Sequence, residues 1–271
     1  MLVAGWQDLL HETFSILPAS TFTLQNAVIV LILGMTLYEQ QALREMQRWQ
    51  VKMQSRPSLI NRMSKGMQNR MNRIIPEKVH QVITEAIKQM TKGLITGAGI
   101  ITPAPILNAS LEEREIKVYD KIDLYRKTAA VEGGVTGAGG ILLGLADFPL
   151  WLSIKIKMLL EIAAAYGYDV KDPRERIFIL HIFQLSFASQ QHRNDVYREM
   201  QNWIRDDSKK NEQPDWRKLQ QEYRDYIDLA KLFQLVPGIG AFVGLYVNNK
   251  LTRQLGDTAM QAYRIRNFNS V

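Results

Sequence analysis

The stretch from Thr128 to Tyr168, TAAVEGGVTGAGGILLGLADFPLWLSIKIKMLLEIAAAYGY, is the longest nearly uncharged run of the chain. It is interrupted at residues 146–149, where Asp147 is suited to cap a helix N-terminus and Pro149 to occupy a first helical turn. Each arm is then about 18–20 residues long, or roughly 27–30 Å at 1.5 Å per residue. The stretch therefore predicts a helical hairpin, which is either the core of a helical domain or an element that meets a bilayer.

Glycines recur at four-residue spacing, although each glycine inside a helix costs roughly 1 kcal/mol relative to alanine. Small residues at this spacing let two helix backbones approach closely, both in soluble cores and in membrane helix pairs. Both interpretations stay open. No Lys-Ser or Lys-Thr follows the cluster, so it is not a phosphate-binding P-loop. The predicted helix-packing glycines are Gly133, Gly137, Gly140, Gly144, Gly240 and Gly244, and the spacing recurs at Gly93 and Gly97.

The composition excludes several classes of protein. The chain has 271 residues and no cysteine, which excludes a disulfide framework and thiolate metal sites and fits a reducing cytoplasm. Its first basic residue is Arg44, so no basic region precedes an apolar segment as in a secretory signal. No segment is cleanly a transmembrane helix, because acids and lysines interrupt the hairpin arms. Met35 is an alternative start, which would make the first 34 residues either an upstream mistranslation or a variable extension.

The formal net charge of +7 is concentrated in one segment. Between Arg44 and Lys92, which we call the basic segment, eleven Lys or Arg residues face three acids. The remainder of the chain is close to neutral. Such a segment predicts an anionic partner, whether lipid headgroups, nucleic acid or an acidic protein.

Within the basic segment, residues 59–75 form the clearest amphipathic pattern, bracketed by Pro57 and Pro76. A basic helix with a methionine-rich face suits an anionic membrane surface or a partner's groove, and an ordinary surface helix is the alternative. The residues predicted to contact an anionic membrane surface are Arg62, Lys65, Arg70, Arg73, Met63, Met67 and Met71.

Helical patterns cover most of the remaining chain. Ser110 and Glu113 match a capping box, and Asp172 followed by Pro173 marks the start of a helix that is apolar nearly all round. An apolar segment, 239–247, leads into a basic tail at 250–266. Sustained period-two alternation is absent from the sequence. We therefore predict an all-α fold, a compact multi-helix domain with glycine-rich helical hairpins.

Seven blocks of sequence, in order, resemble the bacterial EcsC family between about Tyr38 and Phe268. The resemblance implies three parts: residues 1–37 as a variable N-terminal extension, 38–268 as the helical domain, and 269–271 as a tail. The family is named for a gene beside an ABC transporter, which implies work at or near the cytoplasmic membrane. It brings no agreed catalytic residues. The blocks are YEQQALREMQRW (38–49), PEKVHQVITEAI (76–87), LEEREIKVYDKI (111–122), GAGGILLGLADFPLWL (137–152), YGYDVKDPRERIFIL (166–180), SFASQQHRNDVY (186–197) and 216–266.

The weak candidates for catalysis are Glu132, Asp147, His181 and His192. The two histidines are eleven residues apart and are expected to share a face of one buried helix, roughly 16 Å apart, which is too far to share a metal. Asp147 already has a capping role, whereas Glu132 lacks a local explanation. The sequence lacks a nucleophile elbow and a metal-ligand motif, so neither a metal nor another cofactor is expected.

These observations favour a non-enzymatic accessory protein that is cytoplasmic and peripheral to the membrane, linked to ABC transporter function. Its expected partners are an anionic membrane surface and a membrane protein. The alternative is a hydrolase-like enzyme that uses Glu132, Asp147 and a histidine in a pocket between helices. A nucleic-acid partner is not expected, because Trp49 is the only aromatic residue among the basic segment's charges.

Overall fold

The computed structural model describes residues 34–55, 77–136, 148–188, 192–205 and 241–269. Over these ranges it contains seven α-helices and no β-strand, which confirms the predicted all-α fold. The helices are α1 (Leu37–Gln54), α2 (Glu77–Thr96), α3 (Leu111–Thr136), α4 (Phe148–Ala165), α5 (Pro173–Phe187), α6 (Arg193–Arg205) and α7 (Ala241–Asn269).

The chain divides into two compact units, Met1–Arg44 and Glu45–Val271, and the boundary falls within α1. In the first unit, α1 starts with a capping box: the Glu39 backbone N–H donates to Thr36 Oγ1 at 3.2 Å, and the Thr36 N–H donates to Glu39 Oε2 at 2.8 Å. Helices α2 to α7 belong to the second unit.

The 29-residue helix α7 packs against α3, α4 and α5. Its contact with α3 is close at Gly256, where an added Cβ would lie 2.5 Å from Ile122 Cγ1. The prediction of a basic tail at 250–266 is wrong, because this range lies inside α7. Arg264 is buried and Arg266 is largely covered, and each forms an ion pair with a glutamate from another helix.

Arg264 forms the most deeply buried of these ion pairs. Its Nε donates to Glu115 Oε1 at 2.7 Å and its Nη2 to Glu115 Oε2 at 2.6 Å, while Nη1 reaches Glu45 Oε2 at 2.9 Å. Burial by itself would lower the pKa of Arg264, but the hydrogen bonds and charge of Glu115 raise it above its ordinary value. The guanidinium therefore stays charged and joins α1, α3 and α7.

Arg266 is held by Glu175 of α5 and by aromatic rings. Its Nη1 lies 2.7 Å from Glu175 Oε2, and its guanidinium carbon lies 3.7 Å from the ring centre of Tyr168 and 4.6 Å from that of Phe178. Burial raises the pKa of Glu175, although the charge of Arg266 opposes this. The Tyr263 hydroxyl donates to the second Glu175 oxygen at 2.5 Å, so the carboxylate is fully engaged.

Helix α5 starts as predicted. Asp172 is its N-cap, with Oδ1 accepting from the Arg174 N–H at 2.9 Å, and Pro173 occupies the first turn. From Glu175 to Phe187 every residue is buried, which confirms the predicted all-round burial. Helix α5 is therefore the centre of the core and contacts α2, α4, α6 and α7.

Two further predictions are wrong in their helix boundaries. The capping box predicted at Ser110 and Glu113 is confirmed at the start of α3. Helix α3 continues to Thr136, however, so Thr128 does not begin a new helix as the predicted hairpin requires. His181 and His192 do not share a helix, because α5 ends at Phe187 and His192 precedes α6. Pro149 lies in the first turn of α4 as predicted.

Candidate functional site

A groove of about 700 Å³ lies between α2 and α4, next to the connection that follows α2. Its walls are mainly apolar and are contributed by successive turns of the two helices. This volume falls within the range of cavities that bind small molecules, about 300–1,000 Å³. The side chains that form most of its interior are Val82, Ala86, Met90, Leu152, Ile156 and Leu160.

One position in the wall of the groove carries no side chain. Gly93 lines it, and a Cβ added there would meet only the carbonyl oxygen of Ala98, at 3.7 Å. Within the described ranges no helix packs closely on Gly93, and Gly97 lies beyond the end of α2 with a φ of +75°. The prediction that Gly93 and Gly97 form a packing pair is therefore wrong, since Gly97 serves as the glycine that terminates the helix.

Arg176 fixes the end of α2 beside the groove. Its Nε donates to the carbonyl of Leu94 at 2.6 Å, and its Nη1 donates to the carbonyl of Val170 at 3.1 Å. A helix C-terminus leaves carbonyl groups without partners inside the helix, and the guanidinium supplies partners for two of them, since its Nη2 also donates to the carbonyl of Ile95 at 3.4 Å. The turn at residues 97–101 is thereby held over one end of the groove.

The polar groups of the groove lie at its rim. The Gln89 amide donates to Glu85 Oε1 at 2.6 Å, and Lys88 Nζ lies 3.4 Å from Glu85 Oε2. The hydrogen bond from Gln89 is the main reason that the pKa of Glu85 is lowered, with Lys88 adding to it. The Ser153 hydroxyl donates to the carbonyl of Pro149 within its own helix.

Two exposed lysines belong to the two helices that form the groove. Lys157 lines the groove and is exposed, and Lys92 is exposed one residue before Gly93. Neither lysine forms an ion pair within the described part of the chain. Because the rim's carboxylate is already paired while these ammonium groups are not, the groove is suited to an apolar group with an anionic end.

His181 is buried in α5 and is not among the residues that line the groove. Burial lowers the pKa of its imidazole to about 4, so the ring is neutral near pH 7, and its Nδ1 has no hydrogen-bond partner among the residues that the structure describes. Its ring centre lies 6.2 Å from that of Trp203. The surroundings match an apolar core position more closely than a catalytic one.

The other catalytic candidates are only partly described. His192 lies just before α6, half-buried, and does not line the groove. Glu132 lies in α3, with its side chain outside the described residues, and Asp147 falls outside them altogether. In the described ranges, no group of three or more His, Cys, Asp or Glu residues is placed to hold a metal ion. The hydrolase-like alternative thus stays a prediction.

Most of the predicted membrane and packing positions also lie outside the described residues. Gly133 and Gly244 fall within α3 and α7, but their surroundings are not described. Among the helices that are described, none has the length and apolarity required to cross a bilayer. The positions outside the described residues are Arg62, Lys65, Arg70, Arg73, Met63, Met67, Met71, Gly137, Gly140, Gly144 and Gly240.

Sequence reasoning missed the groove and the close contact at Gly256. The periodic apolar residues of α2 and α4 were visible, but periodicity does not show which two helices pack together incompletely. The one available signal was Gly93, a glycine within an otherwise regular helical pattern.

Comparison with known proteins places the chain in a family. Residues 40–268 match the EcsC protein family. The chain is 46% identical over 225 residues to the protein EcsC of Bacillus subtilis (strain 168), which covers 83% of this chain and 94% of that protein. It is 36% identical over 141 residues to the uncharacterized protein YdbA of the same organism, covering 51% of this chain and 52% of YdbA. No solved structure matches the chain. The chain therefore belongs to the EcsC protein family.

Proposed function

We propose that this protein is a non-enzymatic accessory protein that binds the cytoplasmic surface of the membrane. The observation that carries the proposal is the position of the groove, because its wall α2 is also the end of the basic segment Arg44–Lys92. An apolar surface thus occurs on the helix that closes the basic segment, in which eleven Lys or Arg residues stand against three acids; α2 itself carries three lysines and two glutamates. This combination is typical of proteins that lie on anionic bilayers.

Exposed apolar residues at the groove's rim support the same proposal. Ile101 and Leu150 both line the groove, and they are 61% and 58% exposed. On contact with lipid these side chains would leave water, which is favourable in proportion to the apolar area that is covered. Lys92 and Lys157 would each add about 1 kcal/mol of attraction near an anionic surface.

The family supports a more specific partner. The resemblance described above connects it with a gene beside an ABC transporter, so we propose that the membrane-protein partner is a transporter of that class. In this proposal the basic positions of residues 59–75, Arg62, Lys65, Arg70 and Arg73, strengthen the contact with anionic headgroups.

Vesicle flotation with the purified full-length protein tests the proposal. The protein should float with vesicles that contain anionic phosphatidylglycerol and stay behind with purely zwitterionic vesicles. Raising the salt concentration should release it, because screening weakens attraction between exposed charges. Reversing the charge of Lys92 and Lys157 to Glu should reduce the bound fraction severalfold, and adding reversals at Arg62, Lys65, Arg70 and Arg73 should abolish binding.

A matched control uses Lys127→Glu with Lys250→Glu, which makes the same change in net charge as the Lys92 and Lys157 pair. Lys127 lies on α3 and Lys250 on α7, and neither helix contributes to the groove. This control should float like the parent protein. If both double variants lose the same fraction of vesicle binding, only the total charge of the protein matters and the proposed contact surface is wrong. If the parent protein does not float with anionic vesicles, the whole proposal is overturned.

A further inference from the structure

We infer that the groove between α2 and α4 binds one long-chain fatty acid, with its chain in the groove and its carboxylate at Lys157. The inference rests on the proposed function, since a membrane is where such chains are abundant. It adds to that function a defined ligand, a binding site and a stoichiometry of one.

The interior of the groove favours a hydrocarbon chain over a polar ligand. Its walls are aliphatic, as at Val82, Met90 and Ile156, and the polar side chains that line it, apart from Lys157, already have partners. Gln89 and Glu85 bond to each other, and the Ser153 hydroxyl bonds within α4. A polar ligand would therefore lose its hydrogen bonds to water without replacement, which is costly, whereas a hydrocarbon chain has none to lose.

The length of the groove matches an acyl chain. The α2 residues that line it run from Val82 to Leu94, which is roughly 18 Å at 1.5 Å per residue. A bilayer's hydrocarbon core of about 30 Å is two chains deep, so one extended chain is about 15 Å long. The volume of about 700 Å³ also suits a single chain of this kind.

The charge at the rim of the groove favours a ligand whose polar head group is a carboxylate. Lys157 is the lining residue whose charge is exposed and without an ion-pair partner in the described ranges. Glu85, which is the only carboxylate among the described lining residues, is paired with Lys88 and accepts a hydrogen bond from Gln89. A single carboxylate can thus pair with the Lys157 ammonium, whereas a neutral head would leave that charge unused.

Displacement of the fluorescent fatty acid cis-parinaric acid from the full-length protein tests the inference. Oleate should displace the probe, and oleyl alcohol, which has the same chain without the charge, should do so about tenfold less well. Lys157→Glu should weaken oleate binding by a similar factor, while Lys157→Arg should retain it. Lys127→Glu serves as the control and should change nothing.

Two variants fill the groove. Gly93→Leu places a side chain inside it, where the nearest atom to an added Cβ is 3.7 Å away, and Ser153→Phe does so from an exposed position on α4. Each should abolish probe binding at a stoichiometry of one. Ser153→Phe keeps the test valid if Gly93→Leu does not fold.

The two proposals fail in different ways. If a folded groove-filling variant binds the probe like the parent, or oleyl alcohol competes as well as oleate, the fatty-acid site is overturned. If the parent protein does not float with anionic vesicles although oleate still displaces the probe from it, the membrane proposal is overturned instead. Retained flotation of the groove-filling variants, with probe binding lost, is the result we expect.

Discussion

Arg264 and Glu115 are 149 residues apart in the sequence and form a buried bidentate ion pair, in which Nη2 and Oε2 are 2.6 Å apart. The Arg264 side chain is 2% exposed and that of Glu115 0%. The Tyr166 hydroxyl donates to the same carboxylate at 2.8 Å. The pair therefore joins α3 and α7 and the end of α4 at one point in the core.

Glu115→Ala should lower the free energy of unfolding by about 3–5 kcal/mol, because it leaves a buried guanidinium whose one remaining ionic partner among the described residues is the partly exposed Glu45. Urea denaturation at neutral pH measures this. Replacing both residues, with Glu115→Leu and Arg264→Met, should cost less than Glu115→Ala by itself, since neither buried charge remains. If the double variant loses the sum of the free energies of unfolding that the two single variants lose, this explanation of the ion pair is wrong.

Protonation of His181 should make stability depend on pH. Burial lowers its folded-state pKa to about 4 from the ordinary 6.5, so the unfolded chain takes up the proton first as the pH falls. The free energy of unfolding should therefore decrease between pH 6.5 and 4, by about 3 kcal/mol in total from this group. His181→Phe should remove that component.

The comparison of parent and His181→Phe isolates the histidine. Burial raises the pKa of Glu175, so the contribution of Glu175 to the free energy of unfolding decreases as the pH rises. This is opposite to the pH dependence expected from His181. Because Glu175 is present in both proteins, its effect cancels when the two unfolding curves are subtracted at each pH. A difference that stays constant between pH 6.5 and 4 would show that the buried imidazole titrates normally.

Gly256→Ala should destabilise the protein although alanine favours a helix. The new methyl group would lie 2.5 Å from Ile122 Cγ1 and 2.6 Å from its Cδ1. Overpacking of this kind costs about 1–3 kcal/mol, which exceeds the gain of about 1 kcal/mol in helix propensity. Thermal unfolding should show a lower midpoint.

Gly93→Ala is the matched control for Gly256→Ala. Its methyl group would meet its nearest neighbour at 3.7 Å, an ordinary contact, so the helix propensity should raise stability by about 0.5–1 kcal/mol. Opposite signs for the two glycines are expected. If Gly256→Ala is also stabilising, α3 and α7 move apart at little cost and the close contact is unimportant.

Asp172→Ala should cost about 1 kcal/mol through loss of the α5 N-cap, whose Oδ1 accepts from the Arg174 N–H at 2.9 Å. Asp172→Asn keeps an acceptor oxygen and loses only the half-exposed ion pair with Arg174, so it should cost much less. Chemical denaturation compares the two. Equal losses would assign the effect to the ion pair instead.

Local chemistry explains which parts of the fold were predictable. A cap or an apolar period involves residues within one or two turns, as at Ser110 and Glu113 or at Asp172 and Pro173, and both predictions are confirmed. The shared helix of His181 and His192 was wrong, because α5 ends at Phe187 and no strong sequence signal marks that end.

The candidate site was less predictable than the fold. The basic segment was visible in the sequence, and one of its helices, α2, forms a wall of the groove. The second wall, α4, lies more than fifty residues further along the chain, and only packing brings the two together. The expected pair Gly93 and Gly97 was assigned to packing, whereas Gly93 opens the groove and Gly97 ends the helix.

The sequence by itself determined the all-α class, the starts of α3 and α5 and the family, because these depend on neighbouring residues or on ordered blocks of sequence. Only the tertiary structure decided that Arg264 is a buried core residue rather than part of a basic tail. A charge can leave water only where an opposite charge and hydrogen-bond acceptors are supplied, and here Glu115 supplies them from a distant helix. Such a partner is set by how the helices pack, which no local pattern encodes.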